Sequence, residues 1–255
     1  MTWSKRWEAA SWELVIDFGV VAVYGKSMED ALNWAKEHKK GFVKRIVDKY
    51  GAASEAEPAG IFMAGLPGAG KTELSRSIIA DSGVHLLRID MDEIAEMLPG
   101  YEPQKADKFR QPATLLLSEL FTYALHNKIS FIMDGTFGSA KARDNIMRSL
   151  RHGFSTKIVY AFQDPRLAWE FMLAREKIEH RAIKFDGFVE TYYKTINNIK
   201  MICEEFTGRV VIDMAIKNSD NKVGRWERNI RVGEIDKILN TEYNKGELIK
   251  YIKGA

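Results

Sequence analysis

The sequence has a single cysteine, Cys203, and no long apolar run. One cysteine excludes an internal disulfide bond and predicts a reducing compartment, which points to the cytoplasm. The most apolar stretch near the start, residues 14–24, is too short to cross a bilayer and contains Asp17, so we expect no membrane association. The net charge is only +3, with 38 basic and 35 acidic residues, so the concentrated basic excess typical of a nucleic-acid-binding protein is also missing.

The sequence does contain enough apolar residues for one large domain with an extension. Hydrophobic residues make up 45% of the 255 positions, which is sufficient for a full core. Residues 1–50 show apolar side chains at helical spacing up to Gly51, and a small, acidic stretch follows. We therefore predict an N-terminal helical extension with its linker over residues 1–57 and a second domain over residues 58–255.

From residue 60 onward, short apolar segments alternate with longer helical segments. The apolar segments cover residues 60–64, 84–89, 129–133, 158–162 and 210–214, and the helical segments cover residues 71–81, 112–127, 140–152, 166–181 and 188–206. This alternation predicts an α/β fold, a three-layer α/β/α sandwich in which helices cover both faces of a mainly parallel sheet. Ligands bind such sheets beyond the carboxyl ends of the strands, so the residues after each strand are the candidates for function.

The first predicted strand runs into a glycine-rich turn and then a helix. This turn matches the full pattern of a phosphate-binding P-loop, formed by Gly65, Leu66, Pro67, Gly68, Ala69, Gly70, Lys71 and Thr72 and followed by Glu73. Glycines let backbone amides turn towards phosphate oxygens, and the helix start adds partial positive charge. Lys71 supplies a full charge to the β and γ phosphates, and the Thr72 hydroxyl is a ligand for Mg²⁺. The motif therefore predicts binding of ATP with Mg²⁺.

Two carboxylates, Asp90 and Asp92, follow the second predicted strand. Asp90 stands three residues before Glu93 at a helix start, which is a capping pattern. Asp92 falls in the first helical turn, where it is either a solvated acid favoured by the helix dipole or a general base beside the P-loop. As a base it would take the proton of an acceptor hydroxyl during phosphoryl transfer.

The third predicted strand ends at Asp134, which Gly135 and Thr136 follow. An acid directly after a buried strand is typical of a Walker B carboxylate, which holds Mg²⁺ or its water. The alternative for Asp134 is a turn or helix cap. The Thr136 hydroxyl can donate to a phosphate or sugar oxygen.

The helical segment after the fourth predicted strand is rich in basic residues, including Arg175 and Arg181. Kinases need cations that neutralise charge on the transferring phosphoryl group, and a guanidinium group binds phosphate through two hydrogen bonds. Some of these cations can instead pair with neighbouring glutamates on a solvated helix face. We predict that at least one of the arginines reaches the phosphates.

Together, these motifs resemble those of the zeta toxin family, the kinases of bacterial toxin–antitoxin systems. The matching segments are residues 63–73, 88–93, 133–137, 163–165 and 174–181, so the resemblance covers roughly residues 60–206. It implies transfer of phosphate from ATP, with Mg²⁺, to the 3′-hydroxyl of the amino sugar in UDP-N-acetylglucosamine. It also implies that Asp92 is the general base, that Lys71 is the P-loop lysine, and that Arg175 and Arg181 are the transition-state arginines.

The resemblance also assigns residues on the substrate side. It places Asp134 and Thr136 at an acid-Gly-Thr motif and Glu119 at the position of an acid that contacts the substrate. The family's acid in that motif is often glutamate, so the shorter Asp134 leaves open whether it serves Mg²⁺ or the substrate.

Members of the family are held inactive by a helical antitoxin that covers the nucleotide site. Residues 1–50 form a predicted helical segment ahead of the kinase domain in the same chain, which gives two hypotheses. They inhibit the kinase in cis, or they pack over a face or edge of the sheet as an extension of the fold.

Two other functions are compatible with the P-loop. One is a kinase that acts on a different hydroxyl, such as a nucleic-acid end, a modified base or an antibiotic. The other is a nucleotide-binding switch that binds ATP without turnover. The presence of Asp92 together with the arginine-bearing helix argues against such a switch.

Overall fold

The computed structural model describes residues 28–179, 184–239 and 243–254. The elements follow in the order α1 (Met28–Tyr50), β1 (Ala59–Ala64), α2 (Lys71–Asp81), β2 (Leu87–Asp90), α3 (Met91–Glu96), α4 (Ala106–His126), β3 (Phe131–Asp134), α5 (Lys141–Arg151), β4 (Ser155–Phe162), α6 (Pro165–Glu179), α7 (Phe185–Glu205), β5 (Val210–Lys217), β6 (Val223–Glu227), α8 (Ile235–Leu239) and α9 (Lys245–Lys253). Within these ranges, no helix has the length and apolar character needed to cross a membrane.

The strands form one six-stranded sheet in the order β2-β3-β1-β4-β5-β6. Strands β1 to β5 run parallel, and β6 pairs antiparallel with β5 at one edge. The prediction of an α/β fold with a mainly parallel sheet is therefore confirmed. Strand β6 was not predicted, because its five residues include a glycine and two charged side chains and show no apolar run.

Some bounds differ from the prediction for local reasons. Strand β2 begins at Leu87, because Val84 lies in a bend and is 49% exposed. Helix α4 begins at Ala106 and contains Pro112, whereas the sequence predicted a helix start at that proline. Proline removes one backbone hydrogen bond within a helix, and α4 tolerates this loss because its 21 residues pack along the core.

Helix α1 is packed into the main core of the protein. Ala35, Phe42 and Ile46 are buried, and the helix lies against α4 and β2. Gly51 ends the helix with a positive φ of 57°, as predicted. For residues 28–50 the structure thus shows a packing role, whereas residues 1–27, the other part of the segment considered for inhibition in cis, lie outside the described residues.

A second apolar cluster joins the P-loop to the C-terminal helices. Leu66 and Ala69 of the P-loop are buried together with Phe188 of α7 and with Leu248 and Ile252 of α9. This packing fixes the phosphate-binding turn between the sheet on one side and the helices α6, α7 and α9 on the other.

Candidate active site

The P-loop makes a tight turn from β1 into α2. Gly65, Gly68 and Gly70 have positive φ angles of 143°, 82° and 66°. A Cβ atom at Gly65 would overlap the carbonyl oxygen of Ala161, and one at Gly68 would overlap that of Ala168. Only glycine fits these two positions without displacing the backbone of β4 or α6.

The turn between β5 and β6 supports the P-loop from behind. The Asn221 side chain donates to the carbonyl oxygen of Gly68 at 3.2 Å, and the Lys217 ammonium group donates to that of Gly70 at 3.4 Å. These contacts give two carbonyl groups of the loop hydrogen-bond donors. No sequence motif marks Lys217 or Asn221, because their role depends on how β5 lies beside the P-loop.

Lys71 lies at the centre of the charged groups of the site. Its ammonium group donates to the Leu66 carbonyl oxygen at 2.6 Å, which keeps the side chain along the P-loop. Burial lowers the pKa of Lys71 to about 8; the carboxylates of Asp134 and Asp92 oppose this shift, and the guanidinium group of Arg175 adds to it. Asp92 and Arg175, two residues predicted to be catalytic, thus lie within electrostatic reach of Lys71.

The end of β2 and the start of α3 separate the roles of two acids. Asp90 is the N-cap of α3, because its side chain accepts from the amides of Asp92 at 2.7 Å and Glu93 at 3.3 Å. The capping prediction for Asp90 is confirmed. Asp92 follows in the first turn of the helix and is partly exposed.

Asp134 is buried at the end of β3 and binds two neighbouring side chains. Its Oδ2 atom accepts from the Ser75 hydroxyl at 2.9 Å and from Arg88 Nη2 at 2.8 Å. Ser75 belongs to α2, so Asp134 links the helix after the P-loop to the sheet. Asp134 also stands opposite Asp90 in the register of β2 and β3, which brings the two acids to the same sheet edge.

Thr136 connects the P-loop to α7. Its carbonyl oxygen accepts from the amide of Gly65 at 3.3 Å and from the Thr195 hydroxyl at 2.8 Å. Its own hydroxyl accepts a weak bond from the amide of Gly138 at 3.4 Å. The structure therefore places Thr136 beside the first P-loop glycine, and its contact with a substrate stays a prediction.

Helix α6 carries Arg175 towards the P-loop. Asp164 caps this helix by accepting from the amides of Arg166 at 3.0 Å and Leu167 at 3.2 Å. Arg175 is exposed on the helix surface, which suits a cation that contacts a bound nucleotide. Arg181, the other predicted transition-state arginine, lies outside the described residues.

Glu119 lies on α4, where its carboxylate forms an ion pair with Lys39 of α1 at 2.7 Å. A groove of about 480 Å³ runs between these helices, and Glu119 lines it together with Lys36, Gln111 and Ser118, among others. The structure thus pairs Glu119 with the N-terminal helix, and its predicted contact with the substrate stays a prediction.

The oxygen ligands at the site suit a magnesium ion. The residues predicted to bind it, Thr72 and Asp134, supply a hydroxyl at the start of α2 and a buried carboxylate at the end of β3. Among the described residues, no three His, Cys, Asp or Glu side chains are arranged to hold a metal by themselves. Binding of Mg²⁺ by Thr72 and Asp134 stays a prediction, in which waters and phosphate oxygens would complete the set of ligands.

Arg88 is a residue of this region to which no motif assigned a role, although it begins the matching segment 88–93. It is 5% exposed on β2, and it contacts three carboxylates, those of Asp90, Glu93 and Asp134. The sequence shows an arginine within an apolar strand, two residues before a capping acid, and its role does not follow from that position. The long-range partner, Asp134, becomes its neighbour only when β2 and β3 pair.

The sheet order, the P-loop and the acids at the carboxyl ends of β2 and β3 define a P-loop kinase fold. A sequence model of the zeta toxin family, described as "Zeta toxin", matches residues 44–231, and the chain belongs to that family.

Solved structures agree with this assignment at the level of the fold. A structure of the PezAT chromosomal toxin-antitoxin system of Streptococcus pneumoniae is similar with a TM-score of 0.65 and 17% identity, over 86% of this chain and 94% of that chain. The AvrRxo1-ORF1:-ORF2 complex is similar with a TM-score of 0.54 and 11% identity, over 84% of this chain and 71% of that chain.

One curated relative shares a shorter segment. The ATP-dependent zinc metalloprotease FtsH of Paraburkholderia phymatum is 29% identical over an alignment of 132 residues, and the match covers 49% of this chain. The match covers 20% of the relative, so the chain spans about a fifth of the length of that protein.

Proposed function

We propose that this protein is an ATP- and Mg²⁺-dependent kinase that phosphorylates the 3′-hydroxyl of the amino sugar in UDP-N-acetylglucosamine. One arrangement carries the reaction type: the P-loop turns from β1 into α2 with Lys71 at its end, and Asp92 in the first turn of α3 and Arg175 of α6 interact with the charge of Lys71. Membership of the zeta toxin family supports the choice of acceptor. A solved complex of AvrRxo1-ORF1:AvrRxo1-ORF2 "with ATP", similar with a TM-score of 0.52, supports the choice of nucleotide.

The reaction is an in-line displacement at the γ-phosphorus. The acceptor hydroxyl oxygen forms a bond to that phosphorus, the bond to the bridging oxygen of ADP breaks, and the hydroxyl proton passes to the Asp92 carboxylate. Lys71 and Arg175 of α6 neutralise the charge of the transferring group. Mg²⁺, when held by Thr72 and Asp134, supplies further neutralisation of the β and γ phosphate oxygens.

An antitoxin is the partner that this function implies. The PezAT structure, which shares the fold, is described as a toxin-antitoxin system. For this chain, control by a separate antitoxin or by the N-terminal segment considered for inhibition in cis is part of the proposal, and either would act by blocking access to the P-loop.

The test is to incubate the protein with ATP, Mg²⁺ and a panel of UDP-sugars, and to weigh the products. UDP-N-acetylglucosamine should gain the mass of one phosphate group while ADP is released. A variant with Lys71→Met controls for contaminating kinases, since it lacks the cation that binds the phosphates. No gain on any sugar nucleotide would remove the proposed acceptor. Transfer to a nucleic-acid end, a modified base or an antibiotic, tested in parallel, would then identify the other type of kinase.

A further inference from the structure

Glu93, the residue next to Asp92, is held by two residues at the end of α1. The Lys49 ammonium group donates to Glu93 Oε1 at 2.6 Å, and the Tyr50 hydroxyl lies 3.2 Å from each carboxylate oxygen. Burial and the negative charge of Glu93 raise the pKa of Tyr50 to about 12, so its hydroxyl keeps its proton and acts as a donor. Helix α1 thus contacts α3 through an ion pair and hydrogen bonds to Glu93.

The other side of Glu93 is held from within the sheet. Arg88 Nη1 donates to Glu93 Oε2 at 2.6 Å, while Nη2 of the same guanidinium group contacts Asp90 and Asp134. Although burial alone would raise the pKa of Glu93, its bonds to Lys49, Arg88 and Tyr50 bring that pKa below its usual range. Glu93 is therefore an anion fixed between α1 and β2.

Helix α3 needs anchors of this kind because it is short. It has six residues, Met91–Glu96, and a helix of that length is not stable without external contacts. Its cap is Asp90, its apolar side packs through Ile94 and Ala95, and its first turn is held by Glu93. The position of Asp92 follows from the position of that first turn.

We infer that the end of α1 is a functional part of the active site: Lys49 and Tyr50 hold Glu93, and Glu93 with Arg88 positions the helix turn that carries Asp92. Glu93 is a positioning residue, because it acts through Asp92 and its side chain is engaged by α1 and β2. This inference rests on the proposed role of Asp92. It also assigns residues 49 and 50 a role in activity rather than in inhibition.

The test combines Tyr50→Phe with Lys49→Met and measures transfer kinetics on the full chain. We expect kcat to fall about tenfold with KM for ATP nearly unchanged, since a misplaced base slows the chemical step and leaves the P-loop intact. A variant with Lys49→Arg alone should keep most of the parent's rate, because arginine can still donate to Glu93. The matched control is Lys200→Met, which breaks an ion pair of similar exposure with Asp236. That control should leave kcat unchanged.

Hydrogen exchange gives a second measure that needs no acceptor. The amides of α3 should exchange faster in the double variant than in the parent or the Lys200→Met control, whereas those of α2 should not change. An unchanged kcat, or unchanged exchange in α3, would overturn the inference.

The Asp92→Asn variant separates the two proposals. If it has lost transfer while the double variant keeps its full kcat, the proposed function stands and the positioning role of α1 is wrong. If Asp92→Asn keeps full turnover, the proposed function of Asp92 fails, and the exchange of the α3 amides alone decides whether α1 anchors that helix.

Discussion

Asp213 is a buried acid whose hydrogen-bond partners come from other parts of the fold. It lies within the apolar strand β5 and is 1% exposed. Lys157 of the neighbouring strand β4 and Arg228, which follows β6, each bind its Oδ2 atom, and the amide of Asn229 binds Oδ1. These bonds outweigh the effect of burial, so the pKa of Asp213 lies below its usual range.

We predict that Asp213→Asn lowers the free energy of unfolding at pH 7 by about 2 kcal/mol, because it weakens charge-assisted hydrogen bonds to partly exposed partners. A carboxylate with a lowered pKa stabilises the fold above its unfolded pKa and loses that contribution as the pH falls through its folded pKa. The difference between parent and variant should thus shrink below about pH 4. Urea unfolding at pH 7 and at pH 3 measures it, and an equal difference at both values would contradict this account.

Whether a residue of the site could be predicted depends on how far away in the sequence its partners lie. Gly65, Gly68 and Lys71 were predictable, because the P-loop performs its chemistry with contiguous residues. Asp90 was predictable as a cap for the same reason. The role of Arg88 was not, since its contacts with Ser75 of α2 and Asp134 of β3 exist only after the sheet has formed.

At the scale of elements, α1 has the clearest structural role among the parts outside the strand–helix alternation. It covers α4 and reaches β2, which is the edge strand of the parallel part of the sheet. A helix that covers an edge region protects unpaired backbone groups and adds apolar burial. This agrees with the packing hypothesis for residues 28–50.

We predict that Phe42→Ala destabilises the whole protein, because Phe42 is 2% exposed in the main core. Truncating a buried phenylalanine costs about 3–5 kcal/mol, which denaturant unfolding can measure. Tyr123→Ala on α4 is the matched control, since that aromatic side chain is 41% exposed and its loss should cost less than about 1 kcal/mol. If Phe42→Ala left stability unchanged, α1 would not be part of the core.

Two of the elements that were missed, β6 and α9, share a physical cause. Strand β6 depends on pairing with β5, and helix α9 depends on a capping box at Asn244 and on burial of Leu248 and Ile252. Both are short, so neither shows the sustained periodicity that identifies a long helix or a buried strand. The five parallel strands were visible because each is an apolar run bounded by helical segments.

The whole molecule is larger than the part that matches its family. The match covers residues 44–231 and begins within α1. Most of α1 and all of α9 lie outside it, yet α1 packs into the main core and α9 packs against P-loop residues Leu66 and Ala69. Both ends of the described chain therefore pack against the part that matches the family.

The central claim is that Asp92 and Lys71 belong to one phosphoryl-transfer site, in which the acid acts on the acceptor and the lysine binds the nucleotide. The most direct measurement compares ATP affinity and transfer rate in the parent and in Asp92→Asn. We predict that the variant binds ATP within about twofold of the parent, while its transfer rate falls by at least about 100-fold, the usual contribution of a general base. Undiminished transfer by Asp92→Asn would contradict the account.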